Sequence, residues 1–144
     1  VIPVSQAAGL TFAEISEGRS AVVERIISAK EVDAFAELSG DFSPLHMDEA
    51  FAKTTRFGQR VSHGMILGTW LSTLVGMDLP GRNAILVSVA LDFRKPVLLG
   101  DKVRMEARVA RKVEASKMLE LAVEASNQRG ETVATGSAKV LVTA

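Results

Sequence analysis

Residues 64–75 read Gly-Met-Ile-Leu-Gly-Thr-Trp-Leu-Ser-Thr-Leu-Val, a run of mostly good helix formers with almost no polar face. A helix of that composition has no side to offer to water, so the rest of the chain must enclose it. It is too short to cross a bilayer, which takes about 20 apolar residues. The enclosure is therefore expected to be protein. Gly68, inside the run, costs about 1 kcal/mol relative to alanine, and predicts a neighbour packed close to the helix backbone.

The material for the enclosure follows directly. From residue 84 the apolar period switches from helical to two. Val87, Val89, Leu91 and Phe93 alternate with polar or small residues, as do Val103, Met105, Ala107 and Val109, then Leu119, Leu121, Val123 and Ala125. Ala134, Gly136, Ala138, Val140 and Val142 share one face of a last strand, and the small residues among them would let sheet and helix approach closely. Pro96, Gly100-Asp101 and 127–130 supply the breaks. Alternating strands joined by short turns predict an antiparallel meander with one wet face. The expected architecture is α+β in two layers, with the helix on the concave face of the sheet.

Ahead of the helix, 1–18 is weakly patterned and reads as an extended lead-in, and 19–27 (RSAVVERII) reads as a strand. Ser28 and Glu31 have the spacing of a capping box for a helix that Gly40 would stop. Residues 41–45 are expected to be irregular because of Pro44. Asp48 can cap a short helix through Ala52, and 53–60 is a polar loop. There is no internal repeat or interdomain linker, so 1–144 is read as a single domain.

Composition narrows the function. Lys+Arg and Asp+Glu both number 17, and no basic run exceeds two residues. That balance argues against a nucleic-acid protein. There is no cysteine, which removes thiol catalysis and thiolate metal sites. The two histidines are not spaced i, i+4 on one helix, so no metal is expected. The first ten residues lack the pattern of a secretory signal, and the expected setting is cytoplasmic, away from the membrane.

The candidate chemistry is acid–base. Asp41 and His46 lie five residues apart and can grip one water from two sides. Gly64, at the start of the predicted helix, offers an unpaired N–H at the positive end of the helix dipole, suited to a carbonyl that becomes enolate-like. Together they suit water addition to a double bond conjugated to a thioester. Plain structural readings stand beside these: Asp41 as a turn residue, His46 bonded to backbone, His63 fixing the turn into the helix, and Ser72 bonding back to the carbonyl four residues earlier. Met65, Leu67 and Trp70 read as core. Arg56, Arg60, Arg94 and Lys95 read as solvated surface, one or two of them placed to meet phosphates. There is no glycine-rich phosphate loop and no Gly-x-Ser-x-Gly elbow.

The stretch F-A-E-L-S-G-D-F-S-P-L-H-M-D-E-A-F-A at 35–52 resembles the signature of the MaoC-like, (R)-specific enoyl-CoA hydratases: Gly-Asp, a variable residue, Asn-Pro, an aliphatic residue, then His. V-S-H-G-M at 61–65 and F-R-K-P-V-L-L-G-D at 93–101 fall where that family has similar segments, and the likeness runs from about Thr11 to the end. The resemblance implies a hot-dog fold, an antiparallel sheet wrapped around a long central helix, paired into a homodimer or larger homo-oligomer. It implies catalytic Asp41, His46 and the Gly64 amide, with Ser43, His63, Met65, Ser72 and Val75 contacting substrate. The substrate would be a trans-2-enoyl thioester of CoA, or of acyl-carrier protein, hydrated by syn addition to the (R)-3-hydroxyacyl product without cofactor or metal. One departure is plain: Ser43 stands where the family has an Asn that helps position the water, and serine is shorter. A hot-dog thioesterase and a non-catalytic acyl-CoA-binding or dimerisation module are the alternatives.

Overall fold

The computed structural model describes residues 6–144; the first five residues of the expected lead-in lie outside them. Strand β1 covers Ser20–Ile26. Helix α1, Ala29–Ser39, opens on the anticipated capping box, in which the Ser28 N–H donates to Glu31 Oε2 at 2.8 Å and the Ser28 hydroxyl also contacts that carboxylate. It ends at Gly40, whose φ of 80° is a left-handed conformation open to glycine, and whose N–H donates to the Ala36 carbonyl at 2.8 Å.

Two short helices follow, α2 at Pro44–Met47 and α3 at Glu49–Lys53. The expectation of an irregular 41–45 is corrected here. Pro44 takes the first helical position, where its missing N–H costs nothing, and so opens a turn of helix that carries His46. Asp48 caps α3 as expected, accepting from the Phe51 N–H at 3.0 Å.

The central helix α4 spans Ile66–Thr73 and continues as π-helix through Leu74–Asp78, where the Leu79 N–H reaches back to the Leu74 carbonyl at 2.8 Å. It is not enclosed on every side. Ile66, Leu67, Trp70, Leu71, Leu74 and Val75 are buried, but Met65, Thr69, Ser72 and Gly76 form an exposed stripe along the opposite face. Glycine, threonine and serine in that stripe carry little apolar area, and Met65 is the one large apolar side chain it leaves exposed.

The sheet adds β2 (Ala84–Phe93), β3 (Lys102–Val113), β4 (Met118–Ser126) and β5 (Thr132–Val142), all antiparallel in the order β1-β3-β4-β5-β2. β3, β4 and β5 form the anticipated meander. Their alternate residues, among them Val103, Met105, Leu119, Leu121, Ala138 and Val140, are buried against α4 in one core. β2 departs from expectation. It lies at the sheet edge, and Ile85, Leu86, Val87, Val89 and Phe93 remain 40–53% exposed, with a register shift between Leu86 and Ser88. A helix enclosed on its apolar side by a five-stranded antiparallel sheet is the hot-dog arrangement.

Candidate active site

Asp41 follows the left-handed turn at Gly40, which swings it off the axis of α1. Three contacts hold it. Its N–H donates to Ser39 Oγ at 3.1 Å, its Oδ1 accepts from the Ser43 N–H at 3.1 Å, and its carbonyl accepts from His63 Nε2–H at 2.9 Å. The carboxylate is about half exposed, with side-chain exposure of 49%. Ser43 therefore orients the acid through its backbone, a contact that does not depend on the side chain at 43.

His46 is fixed from the other side. Its Nδ1 lies 2.6 Å from the Val61 carbonyl, which only accepts, so Nδ1 carries the proton and Nε2 presents a lone pair. The segment under it is clamped by Arg60, whose Nε donates to the His46 carbonyl at 2.6 Å and whose Nη2 pairs with Asp33 at 2.9 Å. Arg60, read from the sequence as solvated surface, is instead mostly buried and ties α2 to α1. No local pattern reveals this, because its partners lie 14 and 27 residues away.

His63 is buried beneath both. Besides holding the Asp41 carbonyl, its ring lies 4.1 Å from that of His46 and 4.7 Å from that of Phe35, centroid to centroid. It supports the acid and the imidazole and forms no wall of the grooves beside them. One donor atom from each of Asp41, His46 and His63 falls within 4.8 Å of the others, the only such trio among the described residues. Such a trio invites a metal. The two rings are tilted by 33°, and a backbone carbonyl engages one nitrogen of each, Nδ1 of His46 and Nε2 of His63. The arrangement suits a water held between Asp41 and His46 Nε2, since hydrogen bonds of about 2.8–3.0 Å span such a gap.

Gly64 sits one residue after His63 and just ahead of α4. The first turn closes through Ile66 N–H to the His63 carbonyl at 3.2 Å and Leu67 N–H to the Gly64 carbonyl at 3.0 Å. The Gly64 N–H is left without a partner among the described residues. A methyl group at 64 would lie 3.1 Å from the Phe93 ring, so this side chain packs directly on the glycine.

Two grooves meet at Phe93. The larger, about 530 Å³, is apolar and runs along the exposed stripe of α4 past Met65, Gly68 and Ser72, with Phe35, Val89 and Leu91 opposite. The smaller, about 330 Å³, contains Gly64 and is rimmed by Arg56, Arg94 and Lys95. Lys95 is occupied by Glu131 at 2.7 Å, and Arg56 lies over the Phe57 ring at 4.8 Å. Of the residues expected at the substrate, Met65 and Ser72 line the larger groove; Val75 turns into the core instead, because it falls on the buried side of α4, where Leu67 and Trp70 lie as expected. Ser72 makes no bond back along the helix; Thr69 and Thr73 do, to the carbonyls of Ile66 at 2.6 Å and Thr69 at 3.3 Å. Asp41 and His46 line neither groove, and open to solvent beside them.

The fold and the site define a hot-dog domain with an acid–imidazole pair at the head of its central helix. The chain belongs to the family described as MaoC like domain, whose model matches residues 11–130. It is 41% identical over 123 residues to an (R)-specific enoyl-CoA hydratase of Aeromonas caviae, covering 85% of this chain and 92% of that protein. It is 36% identical over 133 residues to a 3-hydroxybutyryl-CoA dehydratase of Methylorubrum extorquens, covering 92% and 84%. Its structure is similar to that of the unliganded R-hydratase PhaJ1 from Pseudomonas aeruginosa, with a TM-score of 0.90, 33% identity and coverage of 94% and 87%.

Proposed function

We propose that this chain is an (R)-specific enoyl-CoA hydratase that adds water reversibly across the double bond of a trans-2-enoyl thioester. The observation that carries the reading is the meeting of the Asp41 carboxylate and the His46 imidazole above His63, from segments that share no regular element. With Nδ1 protonated, His46 offers an acceptor at Nε2, and the carboxylate offers another. A water that donates one O–H to each turns a lone pair outward, toward C3 of a bound enoyl group. As the oxygen bonds to C3, one of the two acceptors takes the proton. Electron density moves to the thioester oxygen, where the Gly64 N–H stabilises it. The same proton then returns to C2 from the same side, which makes the addition syn and leaves the site as it began. Dehydration is the reverse.

The acyl chain fits the apolar groove along α4, and the carrier fits the groove rimmed by Arg56 and Arg94. The working form is a homodimer. β2 is an edge strand with apolar residues on both faces, and an uncovered edge of that kind is a template for pairing with a second copy. A second sheet there would also roof the exposed stripe of α4. Among the described residues no helix is long and apolar enough to cross a membrane.

The test is loss of enoyl absorbance when the protein meets trans-2-enoyl-CoA, with chiral analysis of the alcohol. Asp41→Asn and His46→Gln should each lower kcat by about 10²–10⁴-fold with unchanged circular dichroism. Release of free thiol would instead identify a thioesterase, and tight acyl-CoA binding without turnover a binding module.

A further inference from the structure

Gly68 lies inside α4, where glycine weakens a helix relative to alanine. Two structural reasons would retain one: a left-handed backbone, or a neighbour too close for a side chain. Neither applies. Gly68 is not among the positive-φ glycines, and a methyl placed on it would meet only Met65 Cε at 3.7 Å and Leu91 Cδ1 at 4.0 Å, ordinary van der Waals distances. Other glycines show the contrast. A methyl at Gly64 would crowd the Phe93 ring, and one at Gly136 would collide with the Ala90 carbonyl. What Gly68 leaves is open volume, and that volume belongs to the apolar groove.

We infer that Gly68 sets the acyl-chain length the groove accepts, its missing side chain keeping the floor open for chains well beyond four carbons. The inference rests on the hydratase reading above and gives its substrate class as medium-chain enoyl thioesters. Helix geometry supplies the order. Gly68 and Ser72 follow one another on one face of α4, about 6 Å apart, and both line the groove; Gly64 precedes them in a tighter first turn closed by hydrogen bonds between residues three apart. A thioester carbonyl held at Gly64 N–H puts Gly68 one turn along the acyl chain and Ser72 two turns along. A four-carbon chain ends short of Gly68, while an eight-carbon chain must pass over it. Met65, unbranched and 58% exposed, can move aside at the mouth.

The experiment compares wild type, Gly68→Ala and Gly68→Val as full chains. It reads kcat/KM on four- and eight-carbon trans-2-enoyl-CoA, melting temperature, and mass by light scattering. The expected result is that the eight- to four-carbon ratio of kcat/KM falls at least about 10-fold in Gly68→Ala and further in Gly68→Val. Gly68→Ala should also melt about 2–4 °C higher. A ratio unchanged in both variants, a wild type confined to four carbons, or a change in oligomer mass with equal loss at both lengths overturns the inference. The hydratase reading survives each of those results. A wild type that hydrates no enoyl-CoA overturns that reading, and this one with it.

Discussion

At the scale of single residues, the proposed site rests on which atoms are left free. His46 has one nitrogen committed to Val61 and one open; Asp41 has one oxygen held by the Ser43 N–H and one open. The open pair is what a water would meet. Ser43, in the place of the family's Asn, still holds the acid because the contact runs through its backbone. Gly64 is constrained differently, by the Phe93 ring at 3.1 Å from where a methyl would go. Gly64→Ala should therefore shift the half-exposed Phe93 ring by a few tenths of an ångström, with little change in melting temperature, and lower kcat by disturbing the proposed carbonyl donor. Thermal melts and steady-state kinetics check both.

At the scale of elements, two clamps matter. Arg60 joins α2 to α1 through the His46 carbonyl and Asp33. Arg60→Leu should cost about 1–3 kcal/mol, since it strips a charged donor from a partly buried carbonyl. It should also lower kcat more than it raises KM, because His46 loses its footing while the grooves stay intact. The second clamp is the β4–β5 turn. Hydrogen bonds from Lys95, Asn127 and Arg129 hold the Glu131 carboxyl down to about 2. Burial pushes the Asp101 carboxyl up, but hydrogen bonds from Arg129, Gln128 and the Leu98 N–H more than offset it and keep it below the usual range. A carboxyl depressed on folding stabilises the fold above its unfolded value, 4.5 for Glu131, and loses that contribution as pH falls toward about 2. Glu131→Gln should therefore melt lower than wild type at neutral pH, with the difference closing between pH 4.5 and 2. Melting temperature against pH measures it.

At the scale of the whole molecule, β2 and the open stripe of α4 are one problem. Burying apolar area is worth about 25 cal/mol per Å², and this edge leaves five large apolar side chains in water. A two-fold pairing of β2 would cover them and complete the acyl groove in one step. Val87→Lys, at the register shift and outside the groove lining, should favour the monomer and reduce turnover together. Light scattering and activity measured on the same samples test that link.

Local structure was legible from the sequence: the capping box at Ser28 and Glu31, the stop at Gly40, and the period-two strands of the meander. These depend on neighbours a few positions away, and the chain writes such neighbours down in order. The tertiary structure decided the rest. It set His63 under His46 and turned Arg60 inward. It also sent Val75 to the core face of α4 while Met65 and Ser72 faced the groove, and it put β2 at an edge. Which side of a helix is buried, and which side chain a distant carbonyl meets, follows from how layers are stacked, and stacking joins residues whose separation along the chain carries no local signal.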